Sequence, residues 1–341
     1  MNCLTLRSYL VKRLAISLLI LWAAATLNYF LFVVYPADPV RYLLDPNMKE
    51  EQKEFIRREY GYYDDPLTKY VKYLRNMFSF GLIPPYFGIS FETRNYVAQD
   101  MYWRMGLTVA LLGGALVGDL LLGIPIGLFA AWKRGSKIDV AVMALGLFTW
   151  GLPTFFVELL ALLFFTGLLK QWTGMTIFPA GGWASYPPPE NPILLAADIA
   201  WHMALPMLCL IAVGFAGTAL YIRNLTIDAL TQDYIVTARA KGVPERQVLM
   251  KHAFKSILPP IATMITLSIP GLVTGAILTE TIFNLQGIGR WYIAALSRGN
   301  PDFPVVQAVL FVFATLVVIC NLIADILYGF LDPRIKVGVR R

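Results

Sequence analysis

Six long apolar runs dominate this chain: residues 14–35, 103–132, 138–169, 192–222, 261–283 and 305–330. The hydrocarbon core of a bilayer takes about 20 apolar residues of helix, and every backbone N–H and C=O inside it must be bonded within the element. Each run is long enough. The pattern predicts an all-α integral membrane protein with six spanning helices, the longer ones tilted or protruding. A mean hydropathy of +0.59 excludes an ordinary soluble enzyme. The first run is longer than a secretory apolar core of about 7–15 residues. It is followed by YPADP instead of a small-residue cleavage site, so it is expected to be retained. Neither end shows a lipidation box.

The charges orient the runs. Arg7, Lys12 and Arg13 precede the first; residues 132–137 (WKRGSK) join the second and third. A basic island, 233–260, joins the fourth and fifth, and Arg334, Lys336, Arg340 and Arg341 follow the sixth. With six spans all four segments share one side, while the opposite loop 171–197 has no Lys or Arg. Basic residues mark the cytoplasmic side, so both termini and the island are expected there. The net charge of +7 is then a topology signal. No nucleic acid is expected as a partner, because the basic residues are scattered along membrane borders.

Chemistry-bearing motifs are sparse. There is no Walker A loop, no HExxH and no GxSxG, so no enzymatic site is expected in this chain. His202 and His252 are the only histidines, which excludes a multi-histidine metal centre. Cys3, Cys209 and Cys320 are too dispersed for a disulfide framework and read as small apolar filler. Six acids lie inside the runs: Asp139 and Asp198 near the starts of theirs, and four others, Asp119, Glu158, Glu280 and Asp325. Intramembrane carboxylates are costly and need a donor, a proton or a function. Glu280 and Asp325 lie about one turn from the ends of their runs and read as structural. Glu158 lies mid-run.

Residues 36–102 form the one long polar segment, expected as a small extracytoplasmic domain. Residues 48–60 (MKEEQKEFIRREY) have helical charge spacing, Asp65-Pro66 interrupts, 67–78 are helical again, and 79–91 (SFGLIPPYFGISF) form a structured loop. This segment is either a docking surface or a cap over helix ends. The division expected is 1–35 for the cytoplasmic N-terminus and first helix, 36–102 for the outer domain, 103–330 for a five-helix core and 331–341 for a cytoplasmic tail. Small residues at Gly114/Gly118, Gly123/Gly127 and Gly271/Gly275 predict close helix approach. Pro125, Pro153, Pro206 and Pro270 predict kinks.

Within the core, 226–260 reads as helix, tight turn, helix. Residues 226–241 form the first helix, with Ile227, Leu230, Tyr234, Ala238 and Lys241 along one stripe. Gly242 follows the last helical residue, where a left-handed backbone costs glycine nothing. Pro244 falls at the first position of the second helix. Val248, Leu249, Ala253 and Ile257 make a second stripe, and Leu258-Pro259-Pro260 ends it. Two apolar stripes need a surface to cover them, which is either the bundle's own inner end or another protein.

These residues resemble the cytoplasmic coupling loop of ABC-transporter permeases of the dipeptide/oligopeptide/nickel importer group. The run 233–242 (DYIVTARAKG), His252-Ala253 and Leu258-Pro259 match that loop. The resemblance extends to 122–135 (LGIPIGLFAAWKRG), 278–290 (LTETIFNLQGIGR), 303–307 (FPVVQ), 321–328 (NLIADILY) and 331–335 (LDPRI). Ser256 stands where the group often has Asn, Asp119 and Glu158 where small or apolar residues are expected, and the 79–91 loop is longer and more aromatic. The resemblance implies a multi-pass permease in the cytoplasmic membrane of a prokaryote, with lipid around it. It further implies a second homologous permease, two cytoplasmic ATP-binding subunits that hold ATP and Mg, and an extracytoplasmic substrate-binding protein. No cofactor is implied in this chain. The coupling contact would comprise Asp233, Tyr234, Thr237, Ala238, Arg239, Ala240, Lys241, Gly242 and Pro244. Short peptides are the leading cargo, with oligosaccharides and nickel as alternatives, and Glu158 is a candidate on the cargo path. A proton-coupled secondary transporter using the four acids is the rival class.

Overall fold

The computed structural model describes residues 6–35, 44, 48–59, 61–84, 86–274, 277–297 and 301–331. Cys3, residues 36–39 of YPADP, Tyr60, Gly275 and the basic tail 332–341 lie outside them. Among the described residues the regular structure is helical, apart from an isolated bridge between Ile89 and Tyr96.

In chain order the helices are α1 (Leu6–Tyr29, extended by a π turn Phe30–Val34), α2 (Glu50–Glu59), α3 (Pro66–Phe78), α4 (Val97–Trp132), α5 (Lys137–Trp150) and α6 (Thr154–Leu162). A π segment, Leu163–Leu168, leads into α7 (Leu169–Thr173). Then come α8 (Pro192–Leu230), α9 (Asp233–Ala240), α10 (Glu245–Gln247), a π segment Val248–Ala253, α11 (Phe254–Thr274), α12 (Ile277–Ile282), α13 (Ile288–Leu296) and α14 (Phe303–Leu331).

Five stretches among the described residues are long and apolar enough to cross a membrane: Val11–Val34, Val97–Trp132, Thr154–Thr173, Pro192–Leu230 and Phe303–Ile323. The third expected run, 138–169, is not one helix. It breaks at Gly151–Pro153, because Pro153 has no N–H to continue α5 and disfavours helical geometry at Leu152. α5 alone, at 14 residues, spans only about 21 Å. The fifth run is covered by α11, which starts earlier than expected at Phe254 and passes through Pro259 and Pro260. Those prolines do not end the helix. They lie well inside a run that is helical from Glu245 through the π segment, and Lys255 and Ser256, whose carbonyls lose their donors four residues on, are exposed.

The α4–α8 contact is the spine of the bundle, and glycine makes it possible. A Cβ at Gly118 would lie 2.3 Å from Ile211 Cδ1, and one at Gly127 would lie 2.4 Å from the Ala219 carbonyl oxygen. Gly123 and Gly127 therefore do bring backbones together, a Cβ at Gly123 standing 3.1 Å from the Phe215 carbonyl oxygen, while Gly114 and Gly118 make room for the Met207 and Ile211 side chains. A Cβ at Gly271 would meet no atom within 4 Å among the described residues.

The segment between α1 and α4 folds onto helix ends. Tyr73, Met77 and Phe87 share one core with Tyr29, Met101, Ile288, Trp291 and Phe311 from α1, α4, α13 and α14. Asp65 caps α3 by accepting the Thr68 N–H at 3.0 Å. Ser90 Oγ donates to the buried Asp302 carboxylate at 2.5 Å, and Asn28 donates to the Gln307 carbonyl at 2.9 Å.

Candidate functional site: the loop between α8 and α11

The predicted helix over 226–241 is two helices. α8 runs on to Leu230, and α9 begins at Asp233. At the junction Thr231 N–H bonds the Asp228 carbonyl and Gln232 N–H the Ala229 carbonyl, three-residue closures that tighten and end a helix. The break resets the helical phase. Ile235 and Ala238, at 0% and 6% exposure, become the inward face, while Tyr234 turns outward. The stripe expected through Tyr234 and Lys241 is corrected accordingly.

Gly242 has φ +77°. Its N–H bonds the Arg239 carbonyl at 2.9 Å, and the Val243 N–H bonds the Ala238 carbonyl at 3.2 Å. This is the paired closure of a Schellman motif, which requires a left-handed residue at that position. Pro244 is the cap of α10 with ψ 140°, one place earlier than expected. Across the turn Arg239 grips Glu245 with two hydrogen bonds, at 2.7 and 3.2 Å. Tyr234 O–H donates to Ser256 Oγ at 2.8 Å, and Ser256 Oγ donates in turn to the Ala253 carbonyl.

The second stripe is buried as expected: Val248, Leu249, Ala253 and Ile257 are all at 6% exposure or less. Ile235, Ala238, Val248, Ala253 and Ile257 form one core with Leu128 of α4, Ile222 and Ala229 of α8, and Ile261 of α11. The bundle's own end covers the stripes. Fully burying a large aliphatic side chain stabilises by about 1.5–3 kcal/mol, so the loop is held as part of the bundle rather than as a free appendage. Asp233, Tyr234, Thr237, Arg239, Ala240, Lys241, Gly242 and Pro244 are left on the outward face. Ala238, named with them from the sequence, points inward and supports that face from beneath. Val236, which the sequence reading passed over, is 58% exposed among them and adds an apolar contact point. A cleft of about 280 Å³ opens beside the loop, lined by Trp132, Arg134, Leu230, Arg239, Glu245 and Leu249 among others.

The four acids have separate partners, and no hydrogen bond joins any two of them among the described residues. Asp119 accepts from Thr218 Oγ1 at 2.7 Å across the α4–α8 contact. Asp325 of α14 pairs with Arg13 of α1 at 3.0 Å. Glu280 accepts from Thr108 Oγ1 at 2.6 Å and from the Arg290 N–H at 2.8 Å, which ties α12 to α4 and to the start of α13. Glu158 is fully buried; its Oε1 accepts from Thr279 Oγ1 of α12 at 2.6 Å, and its Oε2 has no hydrogen-bond partner among the described residues. No group of three or more metal-ligating side chains gathers among the described residues.

Comparison with known proteins fits this arrangement. Residues 123–337 match the family described as the inner membrane component of binding-protein-dependent transport systems, and residues 6–112 match its N-terminal part. The chain belongs to that family. It is 32% identical to the oligopeptide transport system permease AppB of Bacillus subtilis, over 96% of this chain and 99% of the relative. It is also 32% identical to the dipeptide transport system permease DppB of Escherichia coli, over 91% and 94% of the two chains. A di/tripeptide permease DppB of Pseudomonas aeruginosa matches at 32% over 96% and 98%. This is an ABC-transporter permease subunit, multi-pass in the bacterial inner membrane, and the rival class of proton-coupled secondary transporter falls away.

Proposed function

We propose that this permease imports short peptides, with transport driven by ATP hydrolysis on separate cytoplasmic subunits. One observation carries the reading: the α9–α10 unit is closed by a tight turn and an Arg239–Glu245 pair, projects a mixed polar and basic face, and is fastened to the bundle by a continuous core. A unit built that way transmits a push. ATP and Mg belong on two partner ATPases, a second homologous permease completes the path, and an extracytoplasmic protein delivers cargo. ATPase closure grips the outward face from Asp233 to Pro244, and the bundle changes between inward- and outward-facing forms. The chain itself needs no cofactor.

Six spans, with α11 as the fifth, put both termini and the α9–α10 unit in the cytoplasm and the 36–102 domain outside. In a background without native cysteines, single cysteines at Glu51 and Pro188 are expected to react with an impermeant maleimide in intact cells. One at Ser136 is expected to stay unlabelled until the membrane is opened. Labelling of Ser136 from outside overturns this orientation.

Peptide cargo is supported by the oligopeptide, di/tripeptide and dipeptide transport systems to which the three relatives belong. Glu158 suits a peptide's ammonium group, since its Oε2 has no donor among the described residues; contact requires the helices around it to part, because the side chain is fully buried. The assay is ATP-dependent uptake by the whole transporter in vesicles. Di- to pentapeptides are expected to accumulate and oligosaccharides are not. Glu158→Gln is expected to lower uptake of peptides with a free amino end several-fold and to spare N-acetylated ones. Calorimetric binding of a glycan by the cognate binding protein, with no heat from peptides, overturns the cargo assignment and leaves the permease assignment standing.

A further inference from the structure

A second contact sits on α8 at Arg223, between Ile222 and Ala229 of the loop's core. Asp139, in the first turn of α5, is 1% exposed. Arg223 of α8 donates to it twice, from Nε to Oδ1 at 2.7 Å and from Nη2 to Oδ2 at 2.9 Å. The Gly135 N–H adds a bond to Oδ2 at 2.9 Å. Ser136 caps α5 by accepting the Asp139 N–H. Nη1 of Arg223 turns to Asn224 Oδ1 at 2.9 Å. The turn between α4 and α5 is thus fastened to α8 at two points in one plane. A guanidinium fork on a carboxylate fixes orientation as well as distance, which a single ammonium does not.

The neighbours of Arg223 on α8 explain why this place matters. Ile222 and Ala229 belong to the core that holds α9 and α10. No break separates them from Arg223, since α8 is one helix to Leu230. Along α5 the contact with α8 continues at Gly146, where a Cβ would stand 3.0 Å from the Ala216 carbonyl oxygen. Beyond α5, the Gly151–Pro153 break leads to α6, which carries Glu158. One face of α8 therefore holds the loop, and its fork holds the start of α5.

We propose that Asp139 and Arg223 are a positioning pair that carries displacement of the α9–α10 unit into α5, and through it to α6. The inference rests on the ATP-driven reading above. Neither residue touches cargo or nucleotide. Their part is to make α8 and the α4–α5 turn move together, so that ATPase closure is spent on moving the bundle.

The test uses the full transporter in vesicles, with its partner permease, ATPases and binding protein, and reads cargo moved per ATP hydrolysed. Asp139→Asn and Arg223→Lys are expected to lower that ratio at least about fivefold while hydrolysis continues. Arg223→Lys keeps the charge and loses the fork, so it remains informative if Asp139→Asn assembles poorly. The exchange Asp139→Arg with Arg223→Asp is expected to restore part of the ratio. A merely structural role reduces the amount of assembled complex and leaves the ratio of the survivors at the wild-type value; that result overturns the proposal. Wild-type vesicles that show no ATP-dependent uptake overturn the ATP-driven reading instead, and this inference with it.

Discussion

Replacing Gly242 by valine is expected to abolish uptake while the permease still inserts and assembles. The residue holds φ +77°, and both turn-closing hydrogen bonds, from Gly242 and from Val243, depend on that geometry. A side-chain-bearing residue held there costs about 1–3 kcal/mol, and a β-branched one lies at the high end. The backbone escapes by giving up the closure, which turns the outward face away from its proper angle. Folding is spared for a definite reason: a Cβ at this position meets no atom within 4 Å, so nothing in the core is displaced. A graded series separates backbone strain from lost contact. Gly242→Asn, a side chain close to valine in size that tolerates left-handed geometry, is expected to retain most uptake, with Gly242→Ala between the two. Uptake in vesicles, normalised to ATPase subunits recovered with the permease, is the measurement. If asparagine is as damaging as valine, bulk at the ATPase contact is the cause and the turn argument fails.

That turn was legible in the sequence because its causes are local. A glycine after a helical stripe, followed at once by proline, admits few geometries, and the second stripe from Val248 to Ile257 follows simple helical spacing. The breaks were less legible. Pro153 and Pro206 both lie inside apolar runs, yet the first ends a helix and the second sits within α8. Whether a proline kinks or breaks depends on what surrounds the freed carbonyls, and a one-dimensional pattern does not carry that. The interruption at Thr231–Gln232 has neither glycine nor proline to announce it. Its consequence was large, since a two-residue reset moved Tyr234 from the inner face to the outer. The fork between Asp139 and Arg223 joins residues 84 apart in the chain. A reading that took Asp139 only as a charge inside a run had no means of finding its partner. Glu280 was easier: its place near the end of a run read as structural, and the structure supplies the helix that it caps.

Removing the Glu280 carboxylate is therefore expected to cost stability, by about 2–4 kcal/mol for Glu280→Ala. The group is fully buried, and each oxygen accepts a hydrogen bond: Oε1 from Thr108 Oγ1 and Oε2 from the Arg290 N–H. Thr108 Oγ1 also accepts the Ile288 N–H at 2.9 Å, so one network satisfies two of the unpaired donors at the start of α13. Alanine leaves the Thr108 hydroxyl and the Arg290 N–H buried without an acceptor, and burial of an unmet donor outweighs the loss of the bond itself. Glutamine is a finer probe. Its carbonyl oxygen can replace one acceptor, but its NH₂ then faces a donor, so Glu280→Gln is expected to recover only part of the loss. The tight fit gives an independent variant. A Cβ at Gly287 would lie 2.2 Å from the Glu280 carboxyl carbon, so Gly287→Ala must push the carboxylate off its donors without removing it. Thermal unfolding of the purified permease in detergent, followed by size-exclusion profile, is expected to rank the variants wild type, Glu280→Gln, then Glu280→Ala, with Gly287→Ala also below wild type. A Glu280→Ala midpoint equal to the wild-type value sinks the capping role. In that case the acid's position between α4, α12 and α13 calls for a part in transport, which the ratio of cargo to ATP reads directly.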